Sequence, residues 1–362
     1  MPKLGISVYP EHASLDDNKK YIDKAAKSGF SRIFTCLLSV EGRTPEEIKA
    51  DFTGMIDHAH KYNMEVILDV APYVFERLGI SYEDLSFFAD MHADGIRLDQ
   101  GFTGMEESAL TFNKYGLKIE VNASAGNGYI DNVVSWKPNR SKFITCHNFY
   151  PQKYTGLSLD FFNQCNAQIQ KHNLNIAAFV TSQAQNTFGP WPVAEGLCTI
   201  EMHRELPIDV QMRHYAAIGT VDDILIGNQF ATDEELETMA KIDPNLLTFK
   251  IEFEKDLHPT EEKVIYEADH IVRGDLNEYS RRSTWPRITY KKEPVPPANT
   301  RDLKRGDIVV VNDNYGQYKA ELHVILKPMP NAGNKNVVGH IPENELFLLD
   351  YMDSWRPFGF FR

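Results

Sequence analysis

Cysteine is scarce in this chain, with four in 362 residues, at 36, 146, 165 and 198, and no C-x-x-C pair. That excludes a disulfide framework and a thiolate metal knuckle, and it fits buried free thiols in a reducing compartment. Basic residues are also in deficit, 38 Lys+Arg against 51 Asp+Glu, for a net charge of -13. A nucleic-acid partner needs a basic footprint, so none is expected. No apolar run approaches the roughly 18 residues of a membrane span, and none is expected to engage a membrane. The opening MPKLGISVYP has no basic segment followed by a long apolar one, so the expectation is a soluble, cytoplasmic protein. Several catalytic signatures are missing as well. There is no G-x-S-x-G elbow, no P-loop, and no H-x-H after the first apolar run. Lys118 and Lys142 stand at the starts of apolar runs, the wrong end for a Schiff-base lysine in a barrel.

What is present is a repeat of short apolar runs over the first 230 residues. They are 4–10, 32–38, 65–72, 95–101, 118–124, 142–151, 175–182 and 222–229. Each is rich in β-branched or aromatic residues and ends in polar ones, as in strands buried on both faces. Helical stretches lie between them, at 15–29, 45–62, 157–172 and 233–242. Thr44 before Pro45 marks one start. Eight strand–helix units in series predict a (β/α)8 TIM barrel. A doubly wound sheet would carry a Gly-rich phosphate turn after the first strand, and SVYPEHASL has none. After residue 245 the pattern becomes alternating and turn-rich, as in GDIVVVND and AELHVILKP. This predicts a barrel over 1–245 and a small all-β domain over 246–362. The barrel segment carries nearly all the net charge, 21 basic against 33 acidic residues, and the remainder 17 against 18.

In a barrel the reactive groups gather at the C-terminal ends of the strands. Glu11, Asp69, Arg97, Asp99, Glu120, Asn122, His147, Asn148 and Asn228 fall there. Arg97 alone cannot neutralise Asp69, Asp99 and Glu120, so at least one acid is expected to be catalytic rather than structural. The oversized seventh loop, 183–204, brings Gln183, Trp191 and Arg204. A long loop on a barrel mouth is usually functional. The later run GDLNEYSRRSTWPR adds Arg281, Arg282 and Arg287. An acidic barrel needs local arginines to hold an anion, and Arg204 and Arg282 are the candidates. Paired carboxylates in unlike environments suit glycoside cleavage. Two alternatives stay open on residues alone. One is a metal-dependent sugar-phosphate isomerase or epimerase on Asp69, Asp99, Glu120 and His147. The other is a non-catalytic sugar-phosphate binder.

Seven segments share a further likeness: SVYPEH, RLDQGF, IEVNAS, CHNFYPQKYTGLS, HRELP, RRSTWPR and GDIVVVNDNYGQYKAEL. Together, in this order, they resemble the MupG family of bacterial 6-phospho-N-acetylmuramidases. The resemblance spans essentially the whole chain. It implies a barrel followed by a cyclophilin-like β domain, and a cytoplasmic glycoside hydrolase without metal or other cofactor. The implied substrate is the disaccharide of N-acetylmuramic acid 6-phosphate and N-acetylglucosamine, met in peptidoglycan recycling. The acids in the matching segments are Glu11, Asp99 and Glu120. Asp99 and Glu120, on neighbouring strands, are the preferred catalytic pair, with Glu11 third. Asp69, Arg97, Asn122, His147, Asn148, Gln183, Trp191, Arg204, Asn228 and Arg282 are expected to bind substrate. A homodimer is allowed by the barrel's size, with no interface legible.

Overall fold

The computed structural model describes residues 3–37, 44–71, 74–75, 81, 83–254 and 256–361. The expected strand ends at Leu38 and Pro72 lie outside these residues. Eight parallel strands close into a barrel in sequential order. They are β1 (Lys3–Ser7), β2 (Arg32–Leu37), β3 (Glu65–Val70), β4 (Gly95–Leu98), β5 (Lys118–Asn122), β6 (Phe143–Cys146), β7 (Ile176–Val180) and β8 (Asp223–Ile226). Closure is made by β1 pairing with β8, from Lys3 opposite Asp223 to Ile6 opposite Ile226. Most strands are shorter than their apolar runs. The trailing polar residues leave the ladder and form the loops of the C-terminal mouth.

Helices between the strands follow their capping residues. The helix Leu15–Lys27 is capped by Ser14, whose side chain accepts from the Asp17 N–H. Pro45–His60 starts on a capping box, with Thr44 and Glu47 satisfying each other's backbone N–H groups. Leu159–Gln170 is capped by Ser158 and buries Phe162, Cys165, Asn166 and Ile169 against the barrel side.

The register sorts the barrel interior into layers. Arg32 lies opposite Gly5, Asp69 opposite Arg97, and Arg97 opposite Glu120. Gly5 leaves room for this packing, since a Cβ there would sit 2.2 Å from Leu225 Cδ2 and 2.9 Å from the Arg32 carbonyl oxygen. At the N-terminal mouth Glu65 is held between Lys3 and Lys118. Those two ammonium groups overcome the cost of its burial and hold its carboxyl at about 2. Above it, Arg32 bridges Glu120 and Asp223. Nearer the C-terminal mouth, Arg97 meets Asp69 and Asp99. The barrel is thus filled in part by ion pairs where apolar side chains are usual.

The chain divides into two compact units, Met1–Met212 with Thr220–Lys241, and Arg213–Gly219 with Ile242–Arg362. The strands of the second unit are β9 (Leu247–Phe249), β10 (Glu252–Phe253), β11 (His270–Ile271), β12 (Ser280–Ser283), β13 (Asp307–Val311), β14 (Leu322–Ile325), β15 (Lys335–His340) and β16 (Pro357–Phe360). They form a five-stranded sheet in the order β10-β15-β13-β14-β12 and a three-stranded sheet in the order β11-β16-β9. The expectation of an all-β unit is corrected here. Helices run over Pro259–Tyr266 and Trp285–Thr289, and 3-10 turns over Asp313–Tyr318 and Glu343–Tyr351. Pro259 after the His258 cap starts the first helix, which buries Val264 and Ile265 in the unit's apolar core. A buried pair, Arg213 with Glu345, lies in the same unit.

Candidate active site

A cavity of about 220 Å³ opens at the C-terminal mouth of the barrel. Phe34, Asp69, Arg97, Asp99, His147, Asn148, Phe149, Phe179 and Trp191 line it. Phe34, Phe149 and Phe179 pack edge to face with centroids 5.0–5.9 Å apart and make an apolar wall. Such a wall lowers the local dielectric, so charges beside it interact strongly.

Arg97 is the hub. Its Nη1 lies 2.6 Å from Asp69 Oδ1 and 3.6 Å from Asp99 Oδ1, and its Nη2 donates to Asn148 Oδ1. The two carboxylates differ in setting. Asp69 is buried, on β3, and desolvation raises its carboxyl to about 6 even though Arg97 pulls the other way. Asp99 follows β4 and its side chain is 38% exposed. One carboxyl is therefore held near neutrality while the other faces solvent beside it. Cys36 Sγ sits 3.8 Å from Asp69 Oδ2.

His147 is fully buried just beyond β6, between that strand and the helix Leu159–Gln170. Its Nε2 is 2.7 Å from Asn166 Oδ1 and its Nδ1 is 3.0 Å from Ser124 Oγ. Burial lowers its imidazolium to about 4, so the ring is neutral at pH 7. Ser124 Oγ also accepts from the Asn148 N–H at 3.1 Å, and the Asn148 carbonyl accepts from Thr199 Oγ1 at 2.9 Å. His147 thus aligns Asn148, and through it Arg97. Trp191, on the long seventh loop, is 43% exposed and forms one side of the cavity.

The other expected residues lie elsewhere. Glu120 is fully buried and paired with Arg32, one layer below the cavity and outside its lining. The expected Asp99–Glu120 pair is thus replaced at the cavity by Asp99 and Asp69. The β2 register points Arg32 inward, where it pairs with both Glu120 and Asp223. Sequence reasoning missed Arg32, although its alternation with Phe34 and Cys36 marks the inward face of β2. Glu11 is half-buried in the turn after β1 and does not line the cavity. Asn122 accepts from the Ser124 N–H at 2.7 Å and so shapes the turn after β5.

Arg204, a candidate phosphate ligand, does not line the cavity. Its Nε and Nη2 bind Glu201 at 2.8 and 2.6 Å, and its Nη1 bonds the carbonyls of Tyr150, Glu195 and Gly196. Its donors are spent on folding the seventh loop. Asn228 is used similarly, bonding the Ser182 backbone on both sides and Thr187 Oγ1. Gln183 bonds the Thr181 and Arg204 carbonyls. Arg282 belongs to the second unit, where it meets Asp275 and Glu321. Among the described residues no three His, Cys, Asp or Glu side chains converge as metal ligands. Of the acids of the isomerase alternative, Asp69 and Asp99 are engaged by Arg97 and Glu120 by Arg32, and both His147 nitrogens are engaged within the protein. Among the same residues no helix is long and apolar enough to cross a membrane.

Comparison with known proteins joins the geometry to a chemistry. The family model of the N-terminal part of 6-phospho-N-acetylmuramidase matches residues 4–241, and that of the C-terminal part matches 247–361. A search of curated proteins gives no match. Among solved structures, an uncharacterized B. cereus protein is 47% identical with a TM-score of 0.92, covering 100% of this chain and 99% of that one. A conserved Enterococcus faecalis protein of unknown function is 22% identical with a TM-score of 0.72, covering 99% of this chain and 96% of that one, and shares the fold. Two carboxylates in unlike settings at a barrel mouth and family matches across nearly the whole chain agree: the chain belongs to the MupG family of 6-phospho-N-acetylmuramidases and is a glycosidase.

Proposed function

We propose that the protein hydrolyses the disaccharide of N-acetylmuramic acid 6-phosphate and N-acetylglucosamine to its two monosaccharides in peptidoglycan recycling, with Asp69 and Asp99 as the working carboxylates. The observation that carries this reading is the sharing of Arg97 by one buried and one solvent-facing acid at the cavity. Asp69, raised to about 6, keeps a proton available and acts as the general acid. It protonates the glycosidic oxygen as the bond to the anomeric carbon breaks, and that oxygen leaves as the new hydroxyl. Asp99 supplies the negative charge that meets the developing positive charge at the anomeric carbon.

The two distances to Arg97 Nη1, 2.6 and 3.6 Å, cap the gap between those carboxylate oxygens below the roughly 6.5 Å at which inverting sites begin. That closeness favours a retaining course, in which Asp99 is the nucleophile and water releases the sugar in a second step. In that step Asp69 takes the proton from water. Arg97 holds both acids in place, Asn148 offers its amide to a sugar hydroxyl or acetamide, and Trp191 stacks on a ring face.

The test is hydrolysis of the phosphorylated disaccharide beside its unphosphorylated twin, with the product anomer followed by proton NMR. Preference for the phosphorylated compound with retention is expected. Equal rates on both compounds would remove the phosphosugar reading, and inversion would remove Asp99 as nucleophile.

A further inference from the structure

In the second unit, strand alternation separates two faces of the five-stranded sheet. Ile308, Val310, Leu322 and Val324 turn to the large apolar core. The opposite face carries a small apolar cluster of Leu303, Val309, Ile325 and Val337. Beside that cluster the same face becomes polar. Arg282 on β12 lies directly across from His323 on β14, and Glu321 precedes His323 by two residues, hence on the same side.

Glu321 is buried, with its side chain 1% exposed, which demands compensation. It finds several partners. Arg287 Nη1 is 3.1 Å from Oε2, His323 Nε2 is 3.2 Å from Oε1, and Arg282 Nη1 is 4.0 Å from Oε1. Lys335 and Arg273 also interact electrostatically with it. Asp275 meets both Arg273 and Arg282. The group therefore holds the four cations Arg273, Arg282, Arg287 and Lys335 against the two carboxylates Asp275 and Glu321. Two positive charges are left over. Arg282 Nε is buried with no hydrogen-bond partner. Two tyrosines flank the cations, with Arg287 5.3 Å over the Tyr318 ring and Lys335 5.9 Å over the Tyr315 ring. Tyr315 is 43% exposed.

A buried carboxylate, Glu321, thus holds both guanidinium groups while leaving the cations of the group in surplus. A phosphate monoester carries about -1.5 to -2 charges at neutral pH and accepts bidentate bonds from guanidinium groups. A carboxylate or phosphodiester brings only one charge. We propose that Arg282 and Arg287, positioned by Glu321 and flanked by Tyr315 and Tyr318, form a binding site for the phosphate monoester of a sugar. The charge balance carries the phosphate, and the choice of a sugar rests on the proposed phosphosugar activity.

The experiment is hydrogen–deuterium exchange and calorimetric titration of the full chain with inorganic phosphate at constant ionic strength. Protection is expected at 280–288 and 315–323. Arg282→Gln and Arg287→Gln should each weaken phosphate binding about tenfold, and dimethyl phosphate should not compete. Absence of protection in the wild-type protein at both segments overturns the site whether or not the variants fold. Unchanged affinity in both folded variants overturns it too. Failure of the activity reads differently. If the phosphorylated disaccharide is not preferred yet phosphate protects these segments, the site stands and the substrate assignment falls. If the disaccharide is preferred and the segments stay unprotected, the site falls and the substrate assignment stands.

Discussion

Two arginines point into the barrel, and each meets two carboxylates. Arg32 sits between Glu120 and Asp223, with the arginine and Glu120 fully buried. Arg97 sits between Asp69 and Asp99, with Asp99 open to a cavity. The residue types are nearly the same, and the difference is access. In the closed layer both carboxylates pair with the one arginine away from solvent, so the group cements strands together. In the open layer one acid is half in water and the other is pushed toward neutrality, so the group can exchange a proton with a ligand. Position along the strand, rather than composition, sets which layer meets the cavity.

The sharpest way to break this comparison is to neutralise each layer in turn. Asp69→Asn and Asp99→Asn should each lower kcat/KM on the phosphorylated disaccharide by about 10²–10⁴-fold, the range for losing a positioned acid or base. Asp99→Asn should leave the melting temperature nearly unchanged because its side chain is already part-solvated. Activity within tenfold of the parent enzyme in Asp99→Asn would mean that the open layer is not the reacting one. Glu120→Gln should show the reverse pattern. Breaking a fully buried pair costs about 3–5 kcal/mol, read by urea unfolding, while the folded fraction keeps its kcat. A large loss of kcat at unchanged stability would return the catalytic role to Glu120.

The pH dependence sharpens the same contrast. In its proposed role of general acid Asp69 must be protonated, so kcat/KM should fall as pH rises through about 6. That alkaline limb should vanish in Asp69→Asn, and its persistence would assign it to another group.

Stability should respond to acid unequally in the two units. His147 in the barrel, and His214 and His270 in the second unit, are buried and lowered to about 4. Each unfolded imidazole takes its proton near 6.5, so the folded state loses stability as pH falls from there toward 4. Asp69 acts oppositely. Its folded form keeps a proton up to about 6 against an ordinary 3.8, so it adds stability as pH falls through that window. The two effects offset each other in the barrel and not in the second unit. Hydrogen exchange at pH 7 and pH 5 should therefore show the larger loss of protection at 247–361, and an equal loss in both units would break this account. The smallest effect is expected at the cavity rim. Trp191→Ala should raise KM several-fold, about 1 kcal/mol of stacking, with kcat little changed.

Much of the barrel was legible because strands buried on both faces read as apolar runs and the helices between them carry visible caps. Asp69, Arg97, Asp99, His147, Asn148 and Trp191 were legible as mouth residues from alternation and loop length. Glu120 was misplaced for a physical reason. Its partner Arg32, and the Asp223 that shares that arginine, come from strands distant in sequence, and only the closed register brings all three together. Arg204, Asn228 and Gln183 looked like ligand-binding groups, but their donors and acceptors close the backbone of the seventh loop. A sequence shows that a polar group exists and leaves open which partner consumes it.

By itself, then, the sequence determined the eight strand–helix units, the acidic barrel, the change of texture after residue 245 and the set of polar residues at the mouth. These depend on periodicity, capping and charge, all local properties of a chain. Tertiary structure decided which carboxylates share an arginine, which of them sees solvent, and that the scarce cysteines are all buried thiols. Cys36, the first of them, rests against Asp69 in the open layer. Those outcomes depend on the desolvation and pairing of groups far apart in the chain, and such energies exist only once the barrel has closed.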